Sequence, residues 1–245
     1  MKTYAFIPAR YGSSRFPGKP LALIAGVPMI RHVYERAALC PEIDKVFVAT
    51  DDERIRQCVL EFGGEVMMTR GDHPSGTDRI TEAARMINAE HDDLIVNIQG
   101  DQPLFNPAVI SALVSPFKED PTLPMSTLMC RIADEKDLSN PNHVKVVLDR
   151  EGYALYFSRA PIPFYRNPDP SDRHYKHLGL YAYRMDFLST FVDLPAGRLE
   201  TAEKLEQLRA LENGYRIKVL ETPMNSIEVD TPGDIGKVED LLGRQ

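Results

Sequence analysis

The sequence has little cysteine, no excess of positive charge and no long apolar run. Its three cysteines, Cys40, Cys58 and Cys130, are an odd number without C-x-x-C spacing, which disfavours a disulfide framework or a structural zinc site and favours a reducing compartment. The apolar stretch from Tyr4 to Ala9 is interrupted by Arg10, so it predicts neither a signal peptide nor a membrane span. We therefore expect a soluble, cytoplasmic protein with no membrane partner.

Positive charge is scarce as well, since 29 Lys and Arg face 36 Asp and Glu, for a formal net charge of −7. Duplex nucleic acid is bound through clustered cations, so nucleic acid is not an expected partner. A small phosphate ligand needs only a few local cations and oriented backbone N–H groups, and it stays possible. With 245 residues and 43% hydrophobic residues, the chain can bury a core and is not disordered.

Short β-branched or aromatic runs alternate with segments whose apolar residues recur at helical spacing. Strands are predicted over 3–9, 45–50, 66–69 and 94–99, with helices from residue 28, over 53–62 and over 78–88. This alternation predicts an α/β fold with a mostly parallel Rossmann-like sheet and helices on both faces. Ligands bind beyond the carboxyl ends of such strands, here at residues 10–19, 50–52 and 100–103.

After about residue 120 the pattern changes to strands with fewer helices between them, which predicts a smaller α+β part. The predicted strands are 126–132, 144–148, 153–158 and 178–183, followed by a helix over 200–212, a strand over 227–230 and a last helix from Pro232. Four prolines in 161–170 indicate a loop or lid. No repeat or clear domain boundary is visible, so we expect one domain over 1–245.

The loop after the first strand, IPARYGSSRFPGKP from Ile7 to Pro20, combines glycines, serines and cations. Glycine lets backbone N–H groups approach a phosphate, serine adds neutral donors and the cations offset its charge. A Walker A loop requires four residues between its glycines and a hydroxyl after the lysine, whereas Gly12 and Gly18 are separated by five and Pro20 follows Lys19. A solvated surface loop remains the alternative from the residues alone.

This opening resembles the signature of the 3-deoxy-manno-octulosonate cytidylyltransferase family, the CMP-Kdo synthetases. Further blocks resemble that family's motifs in the same order: VATDD (48–52), SGTDR (75–79), NIQGDQP (97–103), YFSR (156–159), HLGLY (177–181), LEQLR (205–209) and VDTP (229–232). The blocks span nearly the whole chain. One departure is Gln102, which stands where the family usually has Glu.

The resemblance implies a nucleotide-diphospho-sugar transferase-like fold and the reaction of CTP with Kdo to give CMP-Kdo and pyrophosphate, for lipopolysaccharide biosynthesis. It also implies a homodimer, with a nucleotide-binding half over 1–120, a sugar-binding and dimerisation half over 121–225, and a return to the first half over 226–245. The alternatives are the same reaction on the 8-amino analogue of Kdo, a sialic-acid-type cytidylyltransferase, or a non-catalytic nucleotide-binding module.

Two acidic residues, Asp101 and Asp230, follow predicted strands. Transfer to an α-phosphate calls for a divalent metal, and magnesium takes carboxylate oxygens. From the pattern alone, Asp101 fits a turn and Asp230 fits a cap on the last helix, whereas the resemblance implies that both hold Mg²⁺. Asp51 and Asp52 are predicted mainly as turn residues and helix caps.

The resemblance assigns the remaining sites. It implies catalytic functions for Arg10, Lys19 and Asp101, and nucleotide contacts from Ala9, Arg10, Ser13, Ser14, Lys19, Ser75, Gly76 and Arg79. In the SGTDR block Thr77 could cap the following helix, so capping alone explains that block about as well. The choice of cytosine as the base is implied by the family resemblance alone.

For the sugar, the resemblance implies contacts from Gln99, Arg159, His177, Tyr181, Glu206 and Gln207. Arg159 ends a predicted strand, where it could clamp a carboxylate or lie on the surface. His177 and Tyr181 are four apart in an extended run and so share a face. Glu206 and Gln207 flank a leucine stripe and equally fit a solvated helix edge.

Overall fold

The chain divides into two units in a computed structural model that describes residues 1–12, 16–169, 171–223 and 228–243. The first unit comprises Met1–Ser111 and Ser226–Gln245, and the second comprises Ala112–Asn225. The chain thus leaves the first unit before residue 120, where the sequence pattern changes, and returns to it for its last residues.

The elements follow one another along the chain as β1 (Thr3–Ala9), a 3₁₀ turn (Lys19–Leu21), β2 (Leu23–Ile24), β3 (Val27–Pro28), α1 (Met29–Ala38), β4 (Lys45–Thr50), α2 (Glu53–Glu61), β5 (Val66–Met68), α3 (Gly76–Met86), β6 (Leu94–Asn97), α4 (Ala108–Val114), α5 (Pro116–Glu119), β7 (Met125–Arg131), α6 (Glu135–Ser139), β8 (Lys145–Leu148), β9 (Ala154–Ser158), β10 (Tyr175–Arg184), α7 (Met185–Asp193), α8 (Arg198–Glu203), α9 (Leu208–Glu212), β11 (Ile217–Glu221) and α10 (Asp234–Leu242). None of the described helices is both long and apolar enough to cross a bilayer.

Four parallel strands form the sheet of the first unit. β1 pairs with β4 on one side and with β6 on the other, and β5 pairs with β4. Every residue of β6 is buried, as is every residue of β4 after its first, which explains why these strands read as continuous apolar runs. The predicted Rossmann-like α/β fold is confirmed, and the carboxyl ends of the strands lie along one edge.

The C-terminal segment is attached to the first unit by an apolar cluster. Val229 and Val238 pack with Ile24 and Met29, and all four are fully buried. A backbone hydrogen bond of 2.9 Å runs from Val229 N to the carbonyl of Asp101. The strand predicted over 227–230 is wrong for its described residues, 228–230, which carry no strand; residue 227 lies outside the described part of the chain.

The second unit is mostly antiparallel, in agreement with the expected α+β part. β10 runs antiparallel to β7 and β8, and β9 runs antiparallel to β8, whereas β11 is parallel to β7. β11 is not among the strands predicted from the sequence.

The helix predicted over 200–212 is wrong, because two short helices, α8 and α9, occupy that segment. They are separated at Lys204, whose φ of 54° and ψ of 48° are left-handed. A non-glycine residue in this region does not continue a right-handed helix. The break removes Glu206 and Gln207 from the helix edge on which the sequence pattern places them.

Candidate active site

A cavity of about 300 Å³ opens in the first unit at the carboxyl ends of its strands. Its walls come from the end of β1, the 3₁₀ turn, the start of α3 and the turn after β6. Among the predicted site residues it is lined by Ala9, Arg10, Lys19, Ser75, Gly76, Arg79, Gln99 and Asp101. The structure therefore gathers most of the predicted nucleotide-contacting residues at one place; Ser13 and Ser14 lie outside the described residues.

Lys19 links the two predicted metal carboxylates. Its Nζ lies 2.7 Å from Asp101 Oδ2 and 3.8 Å from Asp230 Oδ1, and it donates a 3.0 Å hydrogen bond to the carbonyl of Val229. The turn that begins at Lys19 follows Gly18, whose φ of 71° is readily adopted only without a side chain. Two carboxylates that are distant in sequence thus converge on one cation at the cavity wall.

This convergence fits a magnesium site. Mg²⁺ usually takes one or two protein carboxylates and completes its shell with water and substrate phosphates. The pair formed by Asp101 and Asp230 meets that requirement, whereas no group of three or more metal-ligating side chains occurs within the described residues.

The alternative that Asp230 merely caps the last helix is not what the structure shows. The N-cap is Gly233, and no side chain caps the helix there; Asp234, its first residue, accepts hydrogen bonds at Oδ2 from the backbone N–H and the hydroxyl of Thr231, at 2.9 and 2.8 Å. Hydrogen bonds from Lys237 and Thr231 lower the pKa of Asp234. The carboxylate of Asp230 is directed to Lys19 instead.

The start of α3 forms a second wall. Ser75, and not Thr77 as suggested from the sequence, caps the helix: its Oγ accepts from the N–H of Asp78 at 3.2 Å and donates to Asp78 Oδ2 at 2.7 Å. Thr77 is buried within the helix. A Cβ on Gly76 would lie 3.3 Å from Pro8 Cγ, so glycine lets the helix begin close against the end of β1.

Arg79 lies on the same wall but is only 5% exposed. Its guanidinium donates to Thr69 Oγ1 at 2.8 Å and pairs with Asp51 Oδ1 at 2.9 Å. Asp52 caps α2 as predicted, accepting from the N–H of Arg54 at 3.0 Å, and the hydrogen bond from the Arg54 side chain lowers the pKa of Asp52. The ion pair of Arg79 with Asp51 therefore supports this wall, whereas Asp52 serves the start of α2.

The sequence reasoning missed five residues of this cavity: Pro8, Pro20, Met29, His73 and Pro74. Three of them, Pro8, Pro20 and Pro74, directly adjoin a predicted site residue in sequence, so a wider window around each motif would have included them. His73 is the only titratable side chain of the five, and its imidazole is held by the carboxylate of Glu82.

Two predicted sugar residues, His177 and Tyr181, touch each other in the second unit. Their ring centroids are 5.4 Å apart although the pairing of β10 with β7 shifts register between Leu178 and Tyr181. His177 Nε2 lies 2.9 Å from Thr127 Oγ1. Burial, assisted by the charge of Lys176, lowers the pKa of His177 to about 3, so this imidazole is neutral at physiological pH.

Arg159 has its guanidinium engaged by backbone carbonyls. It donates to the carbonyls of Glu203 at 2.6 Å, Pro141 at 2.9 Å and Lys204 at 3.3 Å. The Glu203 carboxylate accepts from Ser158 Oγ at 2.7 Å and from the N–H of Arg159 at 3.0 Å. Arg159 thus ties the end of β9 to the break between α8 and α9, and a sugar carboxylate would have to replace some of these contacts.

The other predicted sugar residues occupy different surroundings. Gln207 is only 6% exposed, so it is not a solvated helix edge. Glu206 lies 3.9 Å from the guanidinium of Arg209, and its charge adds to burial in raising the pKa of Tyr181. Gln99 belongs to the first unit, where it lines the cavity beside Asp101.

Comparison with known proteins gives a consistent result. A family model described as cytidylyltransferase matches residues 4–218. The chain is 56% identical to a protein of Hydrogenovibrio crunogenus named 3-deoxy-manno-octulosonate cytidylyltransferase 2, over 99% of this chain and 98% of the relative. It is equally 56% identical to a protein of Shewanella amazonensis named 8-amino-3,8-dideoxy-manno-octulosonate cytidylyltransferase, over 99% of each chain.

Solved structures agree with the sequence relatives. A structure described as CMP:2-keto-3-deoxy-manno-octonic acid synthetase complexed with CTP superposes with a TM-score of 0.93 at 45% identity, over 100% of this chain and 99% of the other. A 4-diphosphocytidyl-2C-methyl-D-erythritol synthase from Anaerococcus prevotii superposes with a TM-score of 0.64 at 13% identity, over 99% and 97% of the two chains, and shows the fold alone.

Proposed function

The chain belongs to the cytidylyltransferase family, and from that premise we propose that it transfers the CMP group of CTP to 3-deoxy-manno-octulosonate, with release of pyrophosphate. It is a nucleotidyltransferase, and the resemblance drawn from its motifs is confirmed. The observation that carries the proposal is the convergence of Asp101 and Asp230 on Lys19 at the wall of a cavity of about 300 Å³.

CTP would lie in this cavity, with its triphosphate along Arg10 and Lys19. Both residues line the cavity and follow β1. In the reaction the acceptor hydroxyl forms a bond to the α-phosphorus while the bond to the pyrophosphate oxygen breaks. Fixed cations beside the leaving group stabilise the negative charge that collects there.

Asp101 and Asp230 would hold a magnesium ion. When bound, the ion supplies a Lewis acid at the α-phosphate and lowers the pKa of the acceptor hydroxyl, so no separate histidine base is required. The carboxylates also hold the ammonium of Lys19 at the cavity wall.

For the acceptor, the proposed contacts in the second unit are Arg159, His177, Tyr181, Glu206 and Gln207. His177 is neutral at working pH, so it would act as a hydrogen-bonding group and not as a cation for the sugar carboxylate. The 8-amino sugar is a second candidate, because a relative named for it is as similar as one named for Kdo.

The test is pyrophosphate release by the purified chain with Mg²⁺, comparing CTP with UTP and Kdo with 8-amino-Kdo and sialic acid. We expect release with CTP and one of the two octulosonates, abolished by EDTA. The matched variants are Lys19→Ala and Lys118→Ala, the second being an exposed lysine on α5. Release with none of these pairs, or equal turnover in both variants, would overturn the proposal.

We also propose that the enzyme works as a homodimer in the cytoplasm, in lipopolysaccharide assembly. Free thiols at Cys40, Cys58 and Cys130 support a reducing compartment. Exposed Phe164 and Leu155, 89% and 61% accessible, support an apolar contact on the second unit. Light scattering on Leu155→Glu and Phe164→Glu should show monomers where the parent chain is dimeric, and a monomeric parent chain would contradict the dimer.

A further inference from the structure

His73 lines the wall of the cavity beside Ser75, Gly76 and Arg79, and its side chain is only 5% exposed. It lies in the loop between β5 and α3, two residues before the cap of that helix. It is the one histidine among the residues that line this cavity in the described part of the chain.

Glu82, from the middle of α3, determines which imidazole nitrogen carries the proton. Its Oε2 contacts His73 Nε2 and accepts from the N–H of Arg70 at 3.1 Å. Burial alone would raise the pKa of Glu82, but the hydrogen bonds from His73 and Arg70 outweigh it, and the pKa is lowered. An ionised carboxylate only accepts, so Nε2 is the donor, and in the neutral form of the ring Nδ1 carries no proton and is an acceptor.

The other polar side chains on this wall are occupied. Ser75 donates its hydroxyl proton to Asp78, and Arg79 is held by Thr69 and Asp51. His73 Nδ1, in contrast, has no hydrogen-bond partner among the described residues. The wall therefore presents one fixed side-chain acceptor.

We propose that His73 selects cytosine over uracil, with Nδ1 accepting a hydrogen bond from the 4-amino group of the base, and that Glu82 is the positioning residue that fixes this tautomer. Cytosine carries a donor at position 4, where uracil carries a carbonyl acceptor. Two acceptors would face each other with uracil, unless the ring moved its proton to Nδ1 and lost its bond to Glu82, or bound a second proton at Nδ1. The inference rests on the proposed use of CTP.

The test measures discrimination and not activity alone. The ratio of kcat/KM for CTP to that for UTP, and the ratio of their Kd values by calorimetry, are compared in the parent chain, His73→Phe and Glu82→Gln. Phenylalanine keeps an aromatic ring without the acceptor, and glutamine can donate as well as accept, which releases the tautomer. Glu61→Gln, at an exposed position of α2, is the matched control.

We expect both ratios to fall by about tenfold in His73→Phe, by less in Glu82→Gln, and not at all in Glu61→Gln. Parallel losses for CTP and UTP would mean that His73 only supports the wall and would overturn the inference. Calorimetry separates this outcome from failure of the proposed function. If the parent chain binds CTP more tightly than UTP but shows no turnover, the proposed transferase activity is overturned. The ratio of the Kd values, compared between the parent chain and His73→Phe, still decides whether His73 selects the base. If His73→Phe does not fold, the binding ratio of Glu82→Gln decides it.

Discussion

The ring of Tyr11 lies against the guanidinium of Arg54, whose Cζ is 3.3 Å from the ring centroid. The carbonyl of Tyr11 accepts a 2.9 Å hydrogen bond from the N–H of Gly18. A Cβ on Gly18 would lie 3.1 Å from two carbons of the ring. Tyr11 therefore fixes the residue that precedes Lys19 against the start of α2, although it is not itself among the cavity residues.

We expect Tyr11→Ala to raise the KM for CTP and to lower kcat/KM on the order of tenfold, because small displacements of a positioned cation are costly in catalysis. Tyr11→Phe keeps the ring and should behave like the parent chain. Steady-state pyrophosphate release checks both variants. A Tyr11→Ala enzyme with parental kinetics would show that the loop holds Lys19 without this ring.

Removal of Lys19 leaves Asp101 and Asp230 facing one another without the ammonium between them. We expect Lys19→Ala to lose about a hundredfold in kcat, and its thermal midpoint to rise more steeply with added Mg²⁺ than that of the parent chain. The ion no longer competes with a tethered cation for the two carboxylates.

Asp230→Asn should show the opposite change: its thermal midpoint should rise less steeply with added Mg²⁺ than that of the parent chain, since one of the two anionic oxygen donors is lost. Thermal unfolding across a Mg²⁺ titration measures both variants, with Lys118→Ala as the exposed control. If the thermal midpoint of Lys19→Ala does not change with the Mg²⁺ concentration, these carboxylates do not share a metal site.

The parallel half of the fold could be predicted from the sequence because burial leaves a simple signal. The strands of the first unit are apolar along their length, and turn residues mark where they end. The convergence of Asp101, Asp230 and Lys19 could be predicted only through the motif resemblance. From the pattern alone, Asp230 fits a cap for α10, and only the structure shows that its carboxylate pairs with Lys19.

Other features could not be read from the sequence because long-range contacts decide them. Nothing in the sequence around Lys204 marks a helix break, since the segment contains neither glycine nor proline. The break lies where the carbonyls of Glu203 and Lys204 accept hydrogen bonds from Arg159, the residue directly after β9. The pairing of His73 with Glu82 joins a loop residue to a helix residue nine positions later, a spacing with no periodic signature.

Arg159 should be important for stability whether or not it also contacts the sugar. We expect Arg159→Ala to lower the free energy of unfolding by about 2 kcal/mol, because three carbonyls lose a charged donor. The free energy of unfolding of Arg159→Lys should lie between those of the parent chain and Arg159→Ala, since one ammonium cannot form all the hydrogen bonds of the planar guanidinium. Denaturant unfolding checks both, with the exposed Arg150→Ala as control.

Kinetics separate the two functions of this side chain. If Arg159 also clamps the acceptor carboxylate, Arg159→Lys will raise the KM for the sugar and leave the KM for CTP near its parental value. If the two KM values change equally, or if neither changes, Arg159 has the structural function alone. If Arg159→Ala is as stable as the Arg150→Ala control, the hydrogen bonds of Arg159 to the three carbonyls do not stabilise the fold, and this prediction is wrong.

His177 should make folding stability depend on pH in a defined direction. Its pKa is lowered from 6.5 to about 3, first by burial and then by the charge of Lys176. Between these values the unfolded chain binds a proton at this imidazole and the native chain does not, so acid favours unfolding. The stabilisation is complete above about pH 6.5 and is lost progressively as the pH falls toward 3.

His177→Gln removes the titrating group, so we expect the gap in thermal midpoint between the parent chain and this variant to change in the variant's favour from about pH 7 to about pH 4. The variant loses the contacts of the ring with Phe157 and Tyr181 at every pH, which displaces its whole profile but not the slope of the difference. His91→Gln, at an exposed histidine, should give a profile parallel to the parent's. A constant gap for His177→Gln across this range would mean that the imidazole is protonated in the native chain as readily as in the unfolded one, and that burial does not hold it neutral.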